Sequence, residues 1–238
     1  PLYSSAASDV YKRQGVNLPM AKNLIGAFHQ PSAVIIDLSV LSTLPRRELR
    51  AGLAEVIKHG VIWDAELFAY MEKQVEAILS LELTALEYPI RRSCEIKAAV
   101  VAADEREQEL RSILNYGHTF GHAIEAVTQY KEYLHGEAVA MGMHVAGALA
   151  RDLGMVGEDF VARQRACLTA YGLPVAWPQL ARDSSLPEAI LAAMKRDKKV
   201  RAGTMKFILA DRIGHMVQRT DVSEDQARRA LNVLCALD

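Results

Sequence analysis

One short apolar run, Ala33-Val-Ile-Ile-Asp37, is the only stretch in the first two thirds of the chain that reads clearly as a β-strand. A lone strand cannot make a sheet, because the N–H and C=O groups along it need a partner strand. After it the hydrophobic pattern turns helical. The chain is therefore expected to fold as mostly α. The strand is expected to be the remnant of a sheet whose other strands lie outside this sequence.

Pro45 opens a helix expected over about Arg46 to Trp63. Asp64 is a good N-cap for the next, to about Ser80. Leu83 to Ala103 is expected to be helical with Pro89 as a candidate break. Gly117 to Thr128 and Gly136 to Leu153 make two more helices, whose glycines permit close backbone packing. Thr204–Leu209 and Ile213–Gln218, around Asp211-Arg-Ile-Gly214, read as a β-hairpin. Ser223 caps a last helix ending near Leu237. Pro1 to Gln14 is rich in Ser, Ala and Tyr without an apolar period, and is read as an atypical leader, foreign or disordered, outside the fold proper.

The charge balance, 28 basic against 29 acidic side chains, gives no basic surface for nucleic acid or membrane. The longest apolar candidate for a membrane span, Ala138 to Ala150, is too short and is interrupted by His144. Cys94, Cys167 and Cys235 are far apart and odd in number, which argues against a disulfide framework and for a reducing, cytoplasmic setting.

The chemistry concentrates in Leu114-Asn-Tyr-Gly-His-Thr-Phe-Gly-His-Ala-Ile-Glu125. His118 and His122, four apart, share one helix face, and His135 follows just before the next helix. Imidazoles converging from neighbouring helices can hold a divalent metal. Taken alone, such a pair more often serves as a helix cap or a satisfied core group. Two further features raise the odds. Glu55 and Lys58 sit three apart in an otherwise apolar helical stripe, where unpaired charge is unfavourable. Lys97 sits in a strongly apolar helix that runs into Asp104-Glu-Arg-Glu107 and Arg111. His29, His59, His144 and His215 are read as packing or surface residues, and Met141 and Met143 as core filling.

The strings Glu55-Val-Ile-Lys58, Cys94-Glu-Ile-Lys97 with Val100-Val-Ala-Ala-Asp104-Glu-Arg-Glu107, and Leu114-Asn-Tyr-Gly-His-Thr-Phe-Gly-His122 resemble the 3-dehydroquinate synthase family. So do Lys22-Asn-Leu-Ile-Gly-Ala-Phe28 with Gln30-Pro31, Leu44-Pro45-Arg46 and Asp197-Lys-Lys199, so the likeness runs from Gly15 to about Leu237. It implies the helical C-terminal domain of a two-domain α/β enzyme. Residues 15–45 would be a remnant of the nucleotide-binding domain and its linker, and 46–238 the helical metal- and substrate-binding domain.

The resemblance implies a Zn2+ or Co2+ ion held by Glu55, His118 and His135, with His122 beside the substrate assisting proton transfer. It implies substrate contacts from Asn23, Lys58, Lys97, Arg111, Asn115 and Lys198 or Lys199, with Glu107 orienting these groups. Lys22 and the turn Val40, Leu41, Ser42 and Thr43 match positions that touch NAD+. The implied activity is a carbon–oxygen lyase acting on a sugar acid phosphate by transient oxidation, phosphate elimination, re-reduction and aldol closure. The partners implied are that small molecule and a second copy in a homodimer.

The sequence also departs from the family. No Gly-x-Gly-x-x-Gly occurs, and Ala21 stands where the family has glycine. The glycine-rich nucleotide-binding half is expected ahead of Gly15, so this chain alone is expected to bind zinc without turnover. Three other readings compete: a 2-deoxy-scyllo-inosose synthase type cyclase, a metal-dependent polyol dehydrogenase, and a non-catalytic zinc-binding helical module.

Overall fold

In the computed structural model, residues 14–18, 21–27, 34–104, 110–198 and 205–235 are described, with side chains over 34–104, 110–196 and 205–235. The chain divides into two units, Pro1–Ser39 and Val40–Asp238.

In the first unit, β1 (Gln14–Leu18) pairs antiparallel with β2 (Ala21–Ala27), Gln14 opposite Ala27 and Val16 opposite Ile25, with an irregularity before Leu18. This hairpin corrects the expectation of a single strand in the early chain. Its residues include Gly15, Asn17, Asn23 and Gly26, types that are poor in strand propensity and blur the alternation. Gln14, set aside with the leader, is the first residue of β1; the rest of the leader lies outside the described residues. The run expected to be a buried strand is also corrected. Val34–Asp37 takes no regular secondary structure, and Ile35 is 94% exposed. Apolar β-branched residues favour a strand, but only a partner edge makes one, and none pairs with it among the described residues.

The second unit is helical, as the sequence period requires. α1 (Arg46–Trp63) starts after Pro45, and Asp64 caps α2 (Ala65–Lys73) by accepting from the Glu66 and Leu67 N–H groups. The helix expected to run on to Ser80 breaks at Gln74, and α3 (Val75–Leu79) follows. α4 (Leu83–Ala103) passes through Pro89 without a break. Pro89 has no N–H for the Ala85 carbonyl one turn back, and the Tyr70 hydroxyl donates to that carbonyl instead, at 3.1 Å. A side chain from α2 thus supplies the hydrogen bond that the proline removes.

A 3-10 turn (Leu110–Asn115) leads into α5 (His118–Val127), and α6 (His135–Asp152) follows. α6 is buried on every side from Ala138 to Ala150. Its alanines and glycines let α1, α5, α7 (Glu158–Ala170), α10 (Glu224–Leu231) and β3 (Phe207–Arg212) close around it. α8 (Pro178–Arg182) and α9 (Leu186–Lys198) lie between α7 and β3 in sequence. β3 pairs antiparallel with β4 (His215–Arg219), and the Gly214 N–H between them donates to the Val61 carbonyl, tying the hairpin to α1. The hairpin lies three residues later at its start than the sequence placed it. The last helix ends at Leu231 and continues as a 3-10 turn to Cys235. The three cysteines are free. No helix among the described residues is long and apolar enough to cross a membrane.

Candidate metal centre

Three helices meet where backbone touches backbone. A Cβ on Gly136 would overlap the Ala51 carbonyl of α1, and one on Gly142 would overlap the Gly117 carbonyl at the head of α5. Only glycine allows these approaches. They bring Glu55, one turn beyond Ala51, up to His135, beside Gly136, and to His118, beside Gly117.

Glu55 Oε1 stands 3.6 Å from His118 Nε2 and 3.9 Å from His135 Nε2. Tetrahedral ligands about 2 Å from one ion stand about 3.3 Å apart, so each imidazole nitrogen lies near ligand spacing from Glu55 Oε1. Glu55 Oε1 is itself buried and has no hydrogen-bond partner. Its other oxygen accepts from Lys58 Nζ at 2.5 Å, and the Lys58 side chain is 3% exposed. Burial works against the Glu55 charge, yet Lys58 beside it, with His118 and His59, holds the carboxyl well below the usual range. Burial pushes His118 down to about 3, and Lys58 adds to the effect against the pull of Glu55. The ring is neutral near pH 7, as a metal ligand must be.

The rings are turned by what their other nitrogens hold. His118 Nδ1 lies 3.1 Å from the Tyr116 carbonyl, and His135 Nδ1 lies 3.2 Å from Glu125 Oε2. With Nδ1–H donating in each, both Nε2 atoms carry lone pairs toward Glu55 Oε1. Two acceptor nitrogens then face an unpartnered acceptor oxygen, an arrangement that a cation resolves.

The turn that carries His135 is held from α1. Arg47 donates to both Glu137 carboxylate oxygens at 2.6 Å and to the Glu132 carbonyl at 2.7 Å, while Glu137 accepts from the Leu134 N–H. Tyr116, whose carbonyl orients His118, is buried and donates from its hydroxyl to Gln164 Oε1 at 2.7 Å.

His122 is exposed, with ring centroids 5.3 Å from His118 and 5.8 Å from His135. The ligating atoms of His118, His122 and His135 lie within 4.8 Å of one another. His118 and His135 thus stand close both to Glu55 Oε1 and to His122.

Lys97 lies on α4, and together with Lys58 it helps push the buried His59 down to about 3, after burial itself. Arg111 and Asn115 sit on the 3-10 turn that runs into the triad, and the Arg111 N–H donates to Asp104 Oδ2 at 3.0 Å. Val40, Leu41, Ser42 and Thr43 form part of the turn Leu38–Thr43, in which Thr43 Oγ1 donates to the Val40 carbonyl. Glu107 and Lys199 lie outside the described residues, as do the side chains of Lys22, Asn23 and Lys198.

Sequence reasoning assigned no role to Glu125, Arg47, Glu137 or Tyr116. Glu125 was findable: it follows His118 by seven positions and His122 by three, so all three share one face of α5. Nothing in the sequence announces that Arg47 meets Glu137.

The sequence matches two family profiles, described as 3-dehydroquinate synthase N-terminal over residues 2–51 and 3-dehydroquinate synthase C-terminal over residues 52–200. The 3-dehydroquinate synthase of Shewanella halifaxensis is 48% identical over 231 residues, which are 97% of this chain and 63% of that relative. The chain thus spans less than two thirds of the relative's length. Among solved structures, 2-epi-5-epi-valiolone synthase from Streptomyces hygroscopicus subsp. jinggangensis, with NAD+ and Zn2+ bound, superimposes with a TM-score of 0.83 at 30% identity. The match covers 98% of this chain and 64% of that one. A 2-deoxy-scyllo-inosose synthase complexed with carbaglucose-6-phosphate, NAD+ and Co2+ gives 0.79 at 28% identity, over 100% of this chain and 66% of that one. With a family profile spanning most of the sequence and a relative at nearly half identity along it, the chain belongs to the 3-dehydroquinate synthase family.

Proposed function

We propose that this chain carries the metal- and substrate-binding part of a 3-dehydroquinate synthase. The enzyme would convert 3-deoxy-D-arabino-heptulosonate 7-phosphate to 3-dehydroquinate and phosphate. The observation that carries the metal part of this reading is the approach of His118 Nε2 and His135 Nε2 to Glu55 Oε1, which has no hydrogen-bond partner. Glu55, His118 and His135 would hold the ion, Zn2+ or Co2+, and three ligands leave a position open for substrate oxygens. When bound, the divalent ion polarises a substrate hydroxyl and NAD+ takes up and returns a hydride.

The chain's own residues supply the rest. Lys58 keeps Glu55 ionised by donating to its Oε2, which leaves Oε1 for the ion. His122, exposed at the edge of the triad, holds or moves a proton next to an oxygen bound there. By their match to the family's substrate-contacting positions, Lys97, Arg111, Asn115, Asn23 and Lys198 would be the residues that supply cations and amide donors to a substrate that is a carboxylate at one end and a phosphate at the other. By the same match, Glu107 would orient them, and Lys22 and Val40–Thr43 would each contact the dinucleotide. We read the working form as a cytoplasmic homodimer.

The test is a full-length chimera in which this chain replaces the matching stretch of the Shewanella relative. With NAD+ and Zn2+ it should release phosphate from 3-deoxy-D-arabino-heptulosonate 7-phosphate while no NADH accumulates. Stoichiometric NADH instead would favour a polyol dehydrogenase and overturn the reading. A second reading, another sugar-phosphate cyclase, rests on the likeness to the 2-deoxy-scyllo-inosose synthase structure. Phosphate release from a hexose 6-phosphate, and none from the heptulosonate, would establish it.

A further inference from the structure

Glu125 is the one acidic residue among the described residues that is fully buried, at 4% exposure. A buried carboxylate is strongly unfavourable unless it is paired and hydrogen-bonded. Its Oε2 lies 3.2 Å from His135 Nδ1, across the α5–α6 contact. His135 belongs to the N-terminal turn of α6, and its side chain is 46% exposed on the other side. The ring therefore has one nitrogen on a buried anion and the other toward Glu55 Oε1, 3.9 Å away. His118 is oriented differently, by the neutral backbone carbonyl of Tyr116.

We propose that Glu125 is a positioning residue for the divalent-ion site. It holds His135 in the Nδ1–H form, aims the Nε2 lone pair at the point that Glu55 Oε1 and His118 Nε2 face, and makes that nitrogen a stronger donor to a cation. Metal-bound histidines are commonly supported in this way, and losing such a carboxylate typically weakens metal binding about 10- to 100-fold. The asymmetry between the two rings has a consequence. The His118 support cannot be removed by changing a side chain, whereas the His135 support can. The proposal rests on the metal-site reading above and adds to it the residue that sets the affinity of the third ligand.

The test uses the full chain and needs no turnover. Zn2+ affinity is measured by chelator competition for the unaltered chain, Glu125→Gln and His135→Ala, with circular dichroism to verify folding. Independently, 15N–1H correlations of the metal-free, unaltered chain report which nitrogen of His135 carries the proton. The expected result is one Zn2+ per chain and binding at least 10-fold weaker in Glu125→Gln. His135→Ala should be weaker still, and the proton should be on Nδ1. Unchanged affinity in Glu125→Gln with weakened binding in His135→Ala would overturn the positioning role and leave the metal site standing. If the unaltered chain fails to bind Zn2+, or His135→Ala binds as well as it does, the metal reading falls and the proposal with it. Should Glu125→Gln not fold, the tautomer measurement decides alone, and an Nε2–H ring overturns the proposal.

Discussion

Two polar clusters flank α6, and they solve opposite problems. On the α7 side, the Tyr116 hydroxyl donates to Gln164 Oε1, and Gln164 Nε2 donates to the Met143 carbonyl at 2.7 Å, so the cluster closes on itself. On the α1 and α5 side, two imidazole nitrogens stand 3.6 and 3.9 Å from Glu55 Oε1, which has no hydrogen-bond partner. A closed network contributes stability, whereas an open one invites a ligand. The contrast teaches that the same helix can carry a structural cluster on one side and a binding site on the other. What separates them is whether every acceptor has found a donor.

The strongest way to break the contrast is to remove a ligand from the open side. His118→Ala in the full-length chimera should lower phosphate release at least ~1000-fold, about 4 kcal/mol of transition-state stabilisation. Activity within tenfold of the unaltered chimera would mean that the open cluster is not a working site. Next, Gly142→Ala drives a methyl into the Gly117 carbonyl and should destabilise the chain by about 3 kcal/mol. Thermal melting of this chain should fall by roughly 6–12 °C; an unchanged midpoint would show that the α5–α6 approach is not required. Third, Zn2+ at 100 times its dissociation constant should stabilise the chain by about 2.7 kcal/mol, reversibly with chelator. The increment should be absent in His118→Ala.

The α7 side has one exception of its own. His144 is 2% exposed with Nδ1 unpartnered, and burial pushes it down to about 4 from 6.5, with Arg165 and Arg151 adding and Glu158 opposing. Its folded form takes up a proton less readily than its unfolded form. Its contribution is therefore fully present above pH 6.5 and is lost as pH falls from there through about 4. The loss should be of order 1–3 kcal/mol across that window, and His144→Leu should flatten this part of the acid limb in denaturant titrations. An unaltered limb would place the acid sensitivity elsewhere. The smallest effect sharpens the comparison most. Tyr116→Phe should cost about 1 kcal/mol by leaving Gln164 Oε1 without its donor. It should leave Zn2+ affinity unchanged, because His118 leans on the Tyr116 carbonyl and not on its hydroxyl. A drop in affinity would mean the two clusters are coupled.

The sequence was most legible where local physics decides. Pro45, Asp64 and Ser223 start helices because caps act within one turn, and the glycines in Gly136-Glu-Ala-Val-Ala-Met-Gly142 announced close packing. It was least legible where a partner distant in the chain decides. Ala33–Asp37 has the composition of a strand, but composition cannot supply an edge. Pro89 has the chemistry of a helix break, but Tyr70, nineteen positions earlier, repairs the lost bond. Glu158–Ala170 gives a weak amphipathic pattern and drew no helix expectation, although Phe160, Val161, Gln164, Cys167 and Leu168 pack inward.

By itself, the sequence determined the mostly helical character of the chain and the residue types able to hold a metal. Periodicity and donor chemistry are properties of the residues themselves. Only the tertiary structure decided that Glu55, some sixty positions before His118, reaches it, that Lys58 occupies one of its oxygens and leaves the other open, and that Glu125 stands behind His135. Those outcomes depend on three backbones approaching at Gly136 and Gly142 closely enough for side chains from separate helices to share one point, and no local pattern encodes that distance.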